Sequence, residues 1–552
     1  MRKKVCVGLI LGLLPFFLTA CAKKTMSSSK VDQSVVTITA GKQSDENYGR
    51  YAAGEDINHN PMIQEGIDQL GIKIQYNILG NNYDDYVNQL RLALTGAEVL
   101  PDVIPVYDQG LMAEMIESGQ VKAIDEDLAL YLPERLRVVY QNFPESFYSA
   151  KKGDKTYGLP IAPSLAETQV LVIRQDWLDK LNLKAPTTLA EFEVVIKAFA
   201  EEDPDGNGKK DTYGFSYSGD GLYSTGWLGD PAMLFSANTG KFIPGNWEEN
   251  GEGELIYGSI QPGNKKTLEK MATWYQKGWI ASDASVTNDW NAMLAFRDGK
   301  AGMYVGRPAH IEDSIEVESK ILGAKIGVYP TIRQDHGEPT YQRAEENDGW
   351  LLFKKDFNGM EAFFKYYDWL YDAAFGTGDF KYGYLENYDY DIVKKQPVFD
   401  PTTFDPPQTR WLFNPSKAIL TKNMPALDQM LPYHKAVTGD LATNGTEMKL
   451  QQLYHTDLKP LVVAGNIAYQ NQEQLTANKF RGQLSDTLQD LFYRFQTKEN
   501  QVFSDIISGK SDSSAFDAFV SDWDQNGGAD ITAAVNDWYL QTSEVKTSEA
   551  NH

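Results

Sequence analysis

Residues 35–106 alternate between two hydrophobic periods, and this alternation restricts the fold more than any other feature of the chain. Val35-Val36-Thr37-Ile38-Thr39 is a β-branched run ending at Gly41, which reads as a strand. A polar loop, Gln43 to Asn60, precedes an expected helix over Pro61 to Leu70, and Gly71 ends it. Ile72 to Ile78 is the next strand. Tyr83, Tyr86, Val87, Leu90 and Leu94 then recur at helical spacing after Asn82. Pro101-Asp102-Val103-Ile104-Pro105-Val106 supplies a third strand. Strand, helix, strand, helix, strand is the order that builds a parallel sheet covered by helices, so an α/β class is predicted.

Ahead of this region, Arg2, Lys3 and Lys4 precede Val5 through Phe17, a stretch almost free of polar groups, and then Leu18-Thr19-Ala20-Cys21. A basic head, an apolar core and small residues make residues 1–20 an expected export signal. The apolar core is shorter than the roughly 20 residues a membrane span needs. Leu-Thr-Ala-Cys also resembles the bacterial lipobox, whose cysteine thiol receives a diacylglycerol and becomes the new N-terminus. Lipidation at Cys21 is therefore expected, with residues 21–34 as a flexible polar tether. The plainer alternative is a generic signal peptide followed by a chance cysteine. Of the 2 cysteines, Cys6 lies in the signal and Cys21 at the cut, so the mature domain has no thiol to pair. An exported chain without disulfides relies on its core, and 552 residues are ample for that.

The formal charge is −24, and cleavage of the signal removes three cations more. So acidic a surface repels nucleic acid and anionic lipid head groups, so neither is an expected partner. No second apolar stretch is long enough to span a bilayer, so the lipid alone is expected to hold the protein on the outer face of the cell membrane. The length predicts more than one lobe. With 30 Tyr, 25 Phe and 11 Trp, the chain has aromatics to fill a core and also a surface suited to stacking on sugar rings.

A second region opens with Thr156 to Ile161 and Gln169 to Ile173, both strand-like. Behind Pro186, Thr188 caps a helix with Glu191 three residues on, and Leu189, Phe192, Val195, Ile196 and Phe199 form its buried stripe. Leu294 to Val305 reads as helix, turn and strand, with the strand at Met303 to Val305; Ile326 to Pro330 is another strand, and Trp350 to Phe353 precedes a helix whose stripe is Met360, Phe363, Phe364, Tyr367, Leu370 and Tyr371. Residues 382–432, rich in Tyr, Asp and Pro, read as loop, and Phe516, Phe519, Val520 and Trp523 mark a helical C-terminal part that stops at Gly527-Gly528. No internal repeat is visible.

The order of these elements resembles the extracellular solute-binding lipoproteins of bacterial ABC importers, family 1, in particular the alginate- and oligosaccharide-binding branch. The resemblance rests on Leu100 to Ile104, Tyr157-Gly158-Leu159-Pro160, Arg174 to Leu178 with Pro186-Thr187-Thr188, Phe296 to Met303, Asn347 to Lys354 and Ala518 to Tyr539. It implies a two-lobed periplasmic-binding-protein type II-like fold, with discontinuous lobes and a hinge of crossing strands. Mapped here, it places 35–163 in lobe one, 164–325 in lobe two, 326–374 back in lobe one and 375–552 in lobe two. It also implies an oligosaccharide ligand, a membrane permease as partner, and a monomeric carrier rather than an enzyme.

The sharpest local motif is Asp203-Pro204-Asp205-Gly206-Asn207-Gly208-Lys209-Lys210-Asp211, within 203–214. Asp203, Asp205 and Asn207 at positions one, three and five, the Lys209 carbonyl at seven and Asp211 at nine match a calcium loop, because calcium takes six to eight oxygens and alternate side chains on a tight turn wrap around it. The departure is at position twelve, where Gly214 stands in place of a bidentate Glu. Related oligosaccharide binders often carry an acid just after position nine; here that place is Thr212. A structural calcium is expected; a solvated acidic turn is the plain alternative.

Saccharide recognition needs flat apolar faces for the C–H side of sugar rings and planar polar groups for paired hydroxyls. Candidates are Trp227, Trp247, Trp290, Trp350 and Trp411, with Arg410 beside the last. The family resemblance adds Arg307, after a strand end, and the loop carrying Asn47 and Tyr48. Trp177, Trp274, Trp369 and Trp523 lie in helical stripes and are expected to pack. Six scattered histidines, no cysteine nucleophile, no Gly-x-Ser-x-Gly elbow and no phosphate loop leave an enzyme without a supporting motif. A different solute such as a peptide, or a secreted carbohydrate-active enzyme, are the alternative readings.

Overall fold

The computed structural model describes residues 35–43, 51, 54–161, 168–221, 223–343, 349–400, 403, 418–421 and 428–549. The signal, Cys21 and the tether lie outside these residues, as do Asn47, Tyr48, Arg410 and Trp411. Among the described residues no helix is long and apolar enough to cross a membrane.

In chain order the elements that position the site are β1 (Val36–Gln43), α1 (Pro61–Leu70), β2 (Ile72–Gly80), α2 (Tyr83–Leu94), β3 (Val103–Val106), α3 (Gln109–Glu117), β4 (Gly158–Pro160), β5 (Val170–Arg174), α4 (Leu189–Glu201), β6 (Tyr213–Ser216), α5 (Asp289–Arg297), β7 (Ala301–Gly306), β8 (Ile326–Pro330), β9 (Trp350–Phe353), α6 (Met360–Phe375), α7 (Lys459–Gln470), α8 (Asp486–Ile507), α9 (Ser514–Gln525) and α10 (Gly528–Glu549). Two sheets organise them. Sheet one has the order β2-β1-β3-β9-β4; β1 runs parallel to β2 and β3, and β9 is antiparallel to both its neighbours. Sheet two has the order β8-β5-β7-β6, with β5 antiparallel to β8 and β7, and β7 parallel to β6.

The local signals act as their chemistry requires. The Asn60 side chain accepts the Met62 and Ile63 N–H groups, which α1 leaves without partners, and Pro61 follows where its missing N–H costs nothing. Gly71 ends that helix at φ 72°, a conformation favourable only without a Cβ, and turns the chain directly into β2. Asn82 caps α2 and Thr188 caps α4 through the Glu191 N–H, while the Glu191 carboxylate accepts from Thr187 rather than from the cap residue.

The core is split between the sheets. Ile38, Ile74, Val103, Leu351 and Phe353 of sheet one pack with Met360, Phe363, Phe364, Tyr367 and Leu370 of α6. Leu171, Ile173 and Met303 of sheet two pack with Phe192, Ile196 and Phe199 of α4, together with Trp177 and Trp274. Each fully buried side chain of this size contributes about 1.5–3 kcal/mol. A further aromatic cluster joins Trp247, Tyr257, Phe492, Phe519 and Trp523 under α8, α9 and α10.

Two of the expected lobe boundaries are corrected. The stretch beginning at 326 does not return to lobe one: β8 pairs with β5 from Ile326↔Arg174 to Pro330↔Val170, and the return comes at β9. Alternating Ile326 and Val328 specify a half-buried strand, but a strand's own residues do not name the sheet that receives it. Nor does the chain leave lobe one after residue 374. Phe380, Ala418, Ile419 and Leu420 lie in the lobe-one core, where the Tyr76 hydroxyl donates to the Ala418 carbonyl at 2.8 Å. Only from Leu431 do the helices pack onto α7, which rests against β8.

Candidate functional site

The chain crosses between the sheets at three places: from β4 to β5, from β8 to β9, and between Leu420 and Leu431. The first two mark one edge of each sheet. In sheet two, Val170 opens β5 just after a crossing and pairs with Gly306 and Pro330, so the ends of β7, β8 and β6 share that edge. In sheet one, Trp350 opens β9 and pairs with Val106 and Pro160, so the ends of β3 and β4 face the crossing as well. Side chains at strand ends on these two edges border the cleft, the usual place for a small-ligand site between lobes.

On the lobe-two edge, the loop after β6 carries Trp227. It is held by Asp230, fully buried, whose carboxylate accepts the Gly226 and Ala232 N–H groups at 2.8 Å each. The Gln169 amide donates to the Trp227 carbonyl at 2.8 Å and to Asp230 at 3.3 Å. Gln169 is tied in turn, through its own N–H, to Gln342 at 2.6 Å, and Gln342 donates to Thr331 at 2.8 Å. Thus residues from two of the crossings fix the loop. Gly229, at φ 69°, passes so close to α5 that a Cβ would meet Ala292 at 2.7 Å. Burial pushes the Asp230 carboxyl up to about 6, against the pull of the Ala232 and Gly226 N–H groups and Gln169.

Arg307, 5% exposed, lies with its guanidinium 4.5 Å from the Trp227 ring centroid, and His310 meets the same ring edge-on at 4.8 Å. These groups form a packed aromatic and cationic cluster at the end of β7. Trp290 sits in the first turn of α5, 44% exposed. The Thr287 carbonyl, just ahead of that helix, accepts from Gly219 and Asp220, which places Trp290 beside the loop after β6.

On the lobe-one edge, Trp350 is a correction to the expected ligand contact: it is 7% exposed and packed in the lobe-one core with Tyr86, Ile104 and Leu352, and its indole N–H has no hydrogen-bond partner among the described residues. Gly158 allows this approach, since a Cβ there would meet the Trp350 side chain at 3.1 Å. Tyr107 follows β3 and is 46% exposed, with Tyr83 packed edge-on against it at 6.1 Å. Sequence reading did not single out Tyr107, because nothing in its neighbourhood distinguishes a strand-end tyrosine from a core one. His434 and Tyr469 were also missed: their rings stack at 4.5 Å, near the point where the Thr168 hydroxyl, just before β5, donates to Ala468 at 2.8 Å.

Trp247 is a correction. It is 1% exposed and packs on Tyr257 and Trp523 at 5.2 and 6.2 Å, inside the aromatic cluster of lobe two. Its strand, Trp247–Glu249, pairs with Leu255–Tyr257. Trp177, Trp274, Trp369 and Trp523 are buried.

The acidic loop after α4 is folded by its own side chains. Asp203 accepts from Gly206 and Asn207 at 3.1 Å and from Gly208 at 3.0 Å. The Asn207 amide donates to Asp205 at 2.7 Å and Asp211 at 3.0 Å, and its oxygen accepts the Lys209 N–H at 2.7 Å. Desolvation raises the Asp205 carboxyl above its ordinary value, and the neighbouring Asp203 and Asp211 add to it against the Asn207 N–H. As they stand, no three His, Cys, Asp or Glu side chains among the described residues converge closely enough to hold a metal. The Thr212 hydroxyl donates to the Phe199 carbonyl at 2.9 Å, and Gly214, without a side-chain oxygen, is packed against Ile196.

Residues 66–337 match the family described as bacterial extracellular solute-binding protein. The polygalacturonan/rhamnogalacturonan-binding protein YtcQ of Bacillus subtilis is 30% identical over 210 residues, 38% of this chain and 40% of the relative. Lipoprotein LipO of the same organism is 26% identical over 359 residues, 62% of this chain and 64% of the relative. In both, the aligned stretch spans less than two thirds of the relative. Among solved structures, an EF-hand mutant of the Streptococcus pneumoniae ABC-transporter substrate-binding protein FusA, in complex with fructo-nystose, superposes with a TM-score of 0.61 at 16% identity, covering 92% of this chain and 99% of that one. That likeness establishes the two-lobed fold.

Proposed function

The chain belongs to the bacterial extracellular solute-binding proteins, and on that premise we propose that it captures an oligosaccharide between its lobes and delivers it to an ABC permease. The observation that carries the reading is the pair of crossing edges, each presenting aromatic side chains: Trp227 and Trp290 on lobe two and Tyr107 on lobe one, while Trp350 is buried in the lobe-one core. Flat rings bury the C–H faces of sugars, and Arg307 supplies a planar donor for paired hydroxyls. YtcQ is named for glycan binding, and the FusA structure holds fructo-nystose. A ligand that touches both lobes only when they close favours that state by its differential affinity, and the permease reads the closed shape. Such a protein carries its ligand and does not convert it.

Residence on the outer face of the membrane is attributed to a lipid on Cys21, after removal of residues 1–20, and the protein acts as a monomer. The relative LipO is named a lipoprotein. Cys21→Ser is expected to release the protein from the membrane fraction into the medium; retention in the membrane would refute lipidation there.

Calcium is assigned to Asp203, Asp205, Asn207, the Lys209 carbonyl and Asp211, as a structural ion that draws the acidic loop together. Supporting this, the Asn207 side-chain amide bridges the Asp205 and Asp211 carboxylates, and the charges of Asp203 and Asp211 help to raise the Asp205 carboxyl, a repulsion that a cation relieves. Binding requires the Asn207 amide to turn its oxygen toward the carboxylates, with water completing the shell. Thermal unfolding tests both readings together. At 100 times the dissociation constant a ligand adds about 2.7 kcal/mol. Oligosaccharides are expected to raise the midpoint and chelation to lower it. A shift with peptides alone would discard the saccharide, and indifference to chelator would discard the ion.

A further inference from the structure

Two large aromatic side chains stand exposed on the crossing edges, one on each lobe: Tyr107, 46% exposed, at the end of β3, and Trp290, 44% exposed, at the start of α5. Among the described residues only Tyr107, Tyr131, Trp290 and Tyr493 are exposed Tyr, Phe or Trp rings, and an exposed ring at a lobe edge is the part of a protein that a planar, partly apolar ligand covers. Among the described residues, the charged groups that sequence and hydrogen bonding place beside these two rings are carboxylates. Asp108 follows Tyr107 directly and caps α3 through the Leu111 N–H at 2.7 Å. Asp289 precedes Trp290, and Asp220 is held next to it through the Thr287 carbonyl. Arg91, whose charge acts on Tyr83, is engaged with Glu114 at 3.2 Å. Arg307 is laid on Trp227.

We propose that Tyr107 and Trp290 are opposing platforms that grip sugar rings as the lobes close, and that the carboxylates flanking them make the ligand an uncharged oligosaccharide rather than a uronate. This rests on the oligosaccharide reading above and narrows it. A neutral sugar presents hydroxyl donors, which carboxylates accept in charge-assisted hydrogen bonds. A uronate brought against these two rings adds an anion beside those carboxylates, where closure removes the water that would screen it. Asp289 shows the crowding: burial raises its carboxyl above the ordinary range and Asp220 adds to the shift, against the Ser218 hydroxyl. The class differs from the polygalacturonan named for YtcQ, so the relative's ligand does not simply transfer.

Calorimetric titration of the purified chain settles it, using fructo-, xylo-, malto- and galacto-oligosaccharides alongside oligogalacturonates. One uncharged series is expected to bind, with oligogalacturonates at least tenfold weaker. Trp290→Ala and Tyr107→Ala are each expected to weaken that binding about tenfold, the equivalent of about 1.4 kcal/mol. Both side chains are surface groups, and an unchanged unfolding midpoint without ligand shows that the fold survives. Asp220→Asn with Asp289→Asn is expected to narrow the gap between neutral and uronate ligands. Tighter binding of oligogalacturonates overturns the proposal and leaves the oligosaccharide reading standing. Binding of a neutral glycan that neither ring substitution alters overturns the platforms. If no saccharide binds, the underlying reading fails too.

Discussion

Glu499→Gln is expected to make the chain more stable than wild type at pH 8 while leaving it no more stable at pH 4. Glu499 lies on α8, fully buried, and its carboxyl accepts the Tyr257 hydroxyl at 2.8 Å. Burial pushes it up to about 7 from an ordinary 4.5, with Ser259 and Tyr257 pulling the other way. The folded chain therefore holds a proton that the unfolded chain releases between about pH 4.5 and 7. Folding takes up that proton across the window, so stability falls as pH rises through it and then levels off. The loss amounts to about 3 kcal/mol at most, since each tenfold difference in proton affinity between the folded and unfolded chain is worth about 1.4 kcal/mol. Glutamine has the shape without the ionisation and keeps an acceptor for Tyr257. The measurement is urea unfolding of both chains at pH 4 to 8. Parallel curves would show that Glu499 ionises in the folded protein at no cost.

Asp230→Ala is expected to cost about 3 kcal/mol of stability and to weaken ligand binding at least tenfold. The loss in stability comes from the buried Gly226 and Ala232 N–H groups, each left without a partner at about 1–3 kcal/mol. The loss in binding follows from the geometry, because those two bonds and the Gln169 amide hold the loop that presents Trp227 to Arg307. Asp230→Asn retains one acceptor oxygen and is expected to fall between wild type and alanine in both readouts. Its pH profile also separates the roles. Burial places the Asp230 carboxyl at about 6 against an ordinary 3.8, so its share of stability falls as pH rises from about 4 to 6, a slope asparagine removes. An alanine variant with intact affinity would show that Trp227 is held by something other than this network.

Much of lobe one was readable because its elements are built from contacts close in sequence. The Asn60 cap, the Gly71 turn and the Asn82 cap each act within a few residues, and the helix over Pro61–Leu70 spans the residues its periodicity predicts. The stripe Leu189, Phe192, Val195, Ile196 and Phe199 is buried as its spacing requires. The site was less readable. Trp247 and Trp290 are indistinguishable by type and neighbourhood, yet one lies in a core of rings and the other in solvent. What separates them is whether Tyr257, Phe492 and Trp523, some from more than 200 residues away, converge on the ring.

The chain's residues by themselves determined the α/β class, the caps and turns, and the acidic loop at 203–211, since each depends on hydrogen bonds or periodicity within one turn or strand. Tertiary structure decided which sheet received the strand at Ile326, where the chain left lobe one, and which rings faced the crossing edges. Those outcomes are set by pairing and burial between segments far apart in sequence. A strand carries its inward face in its own alternation, but its neighbour is chosen by the free edge it meets.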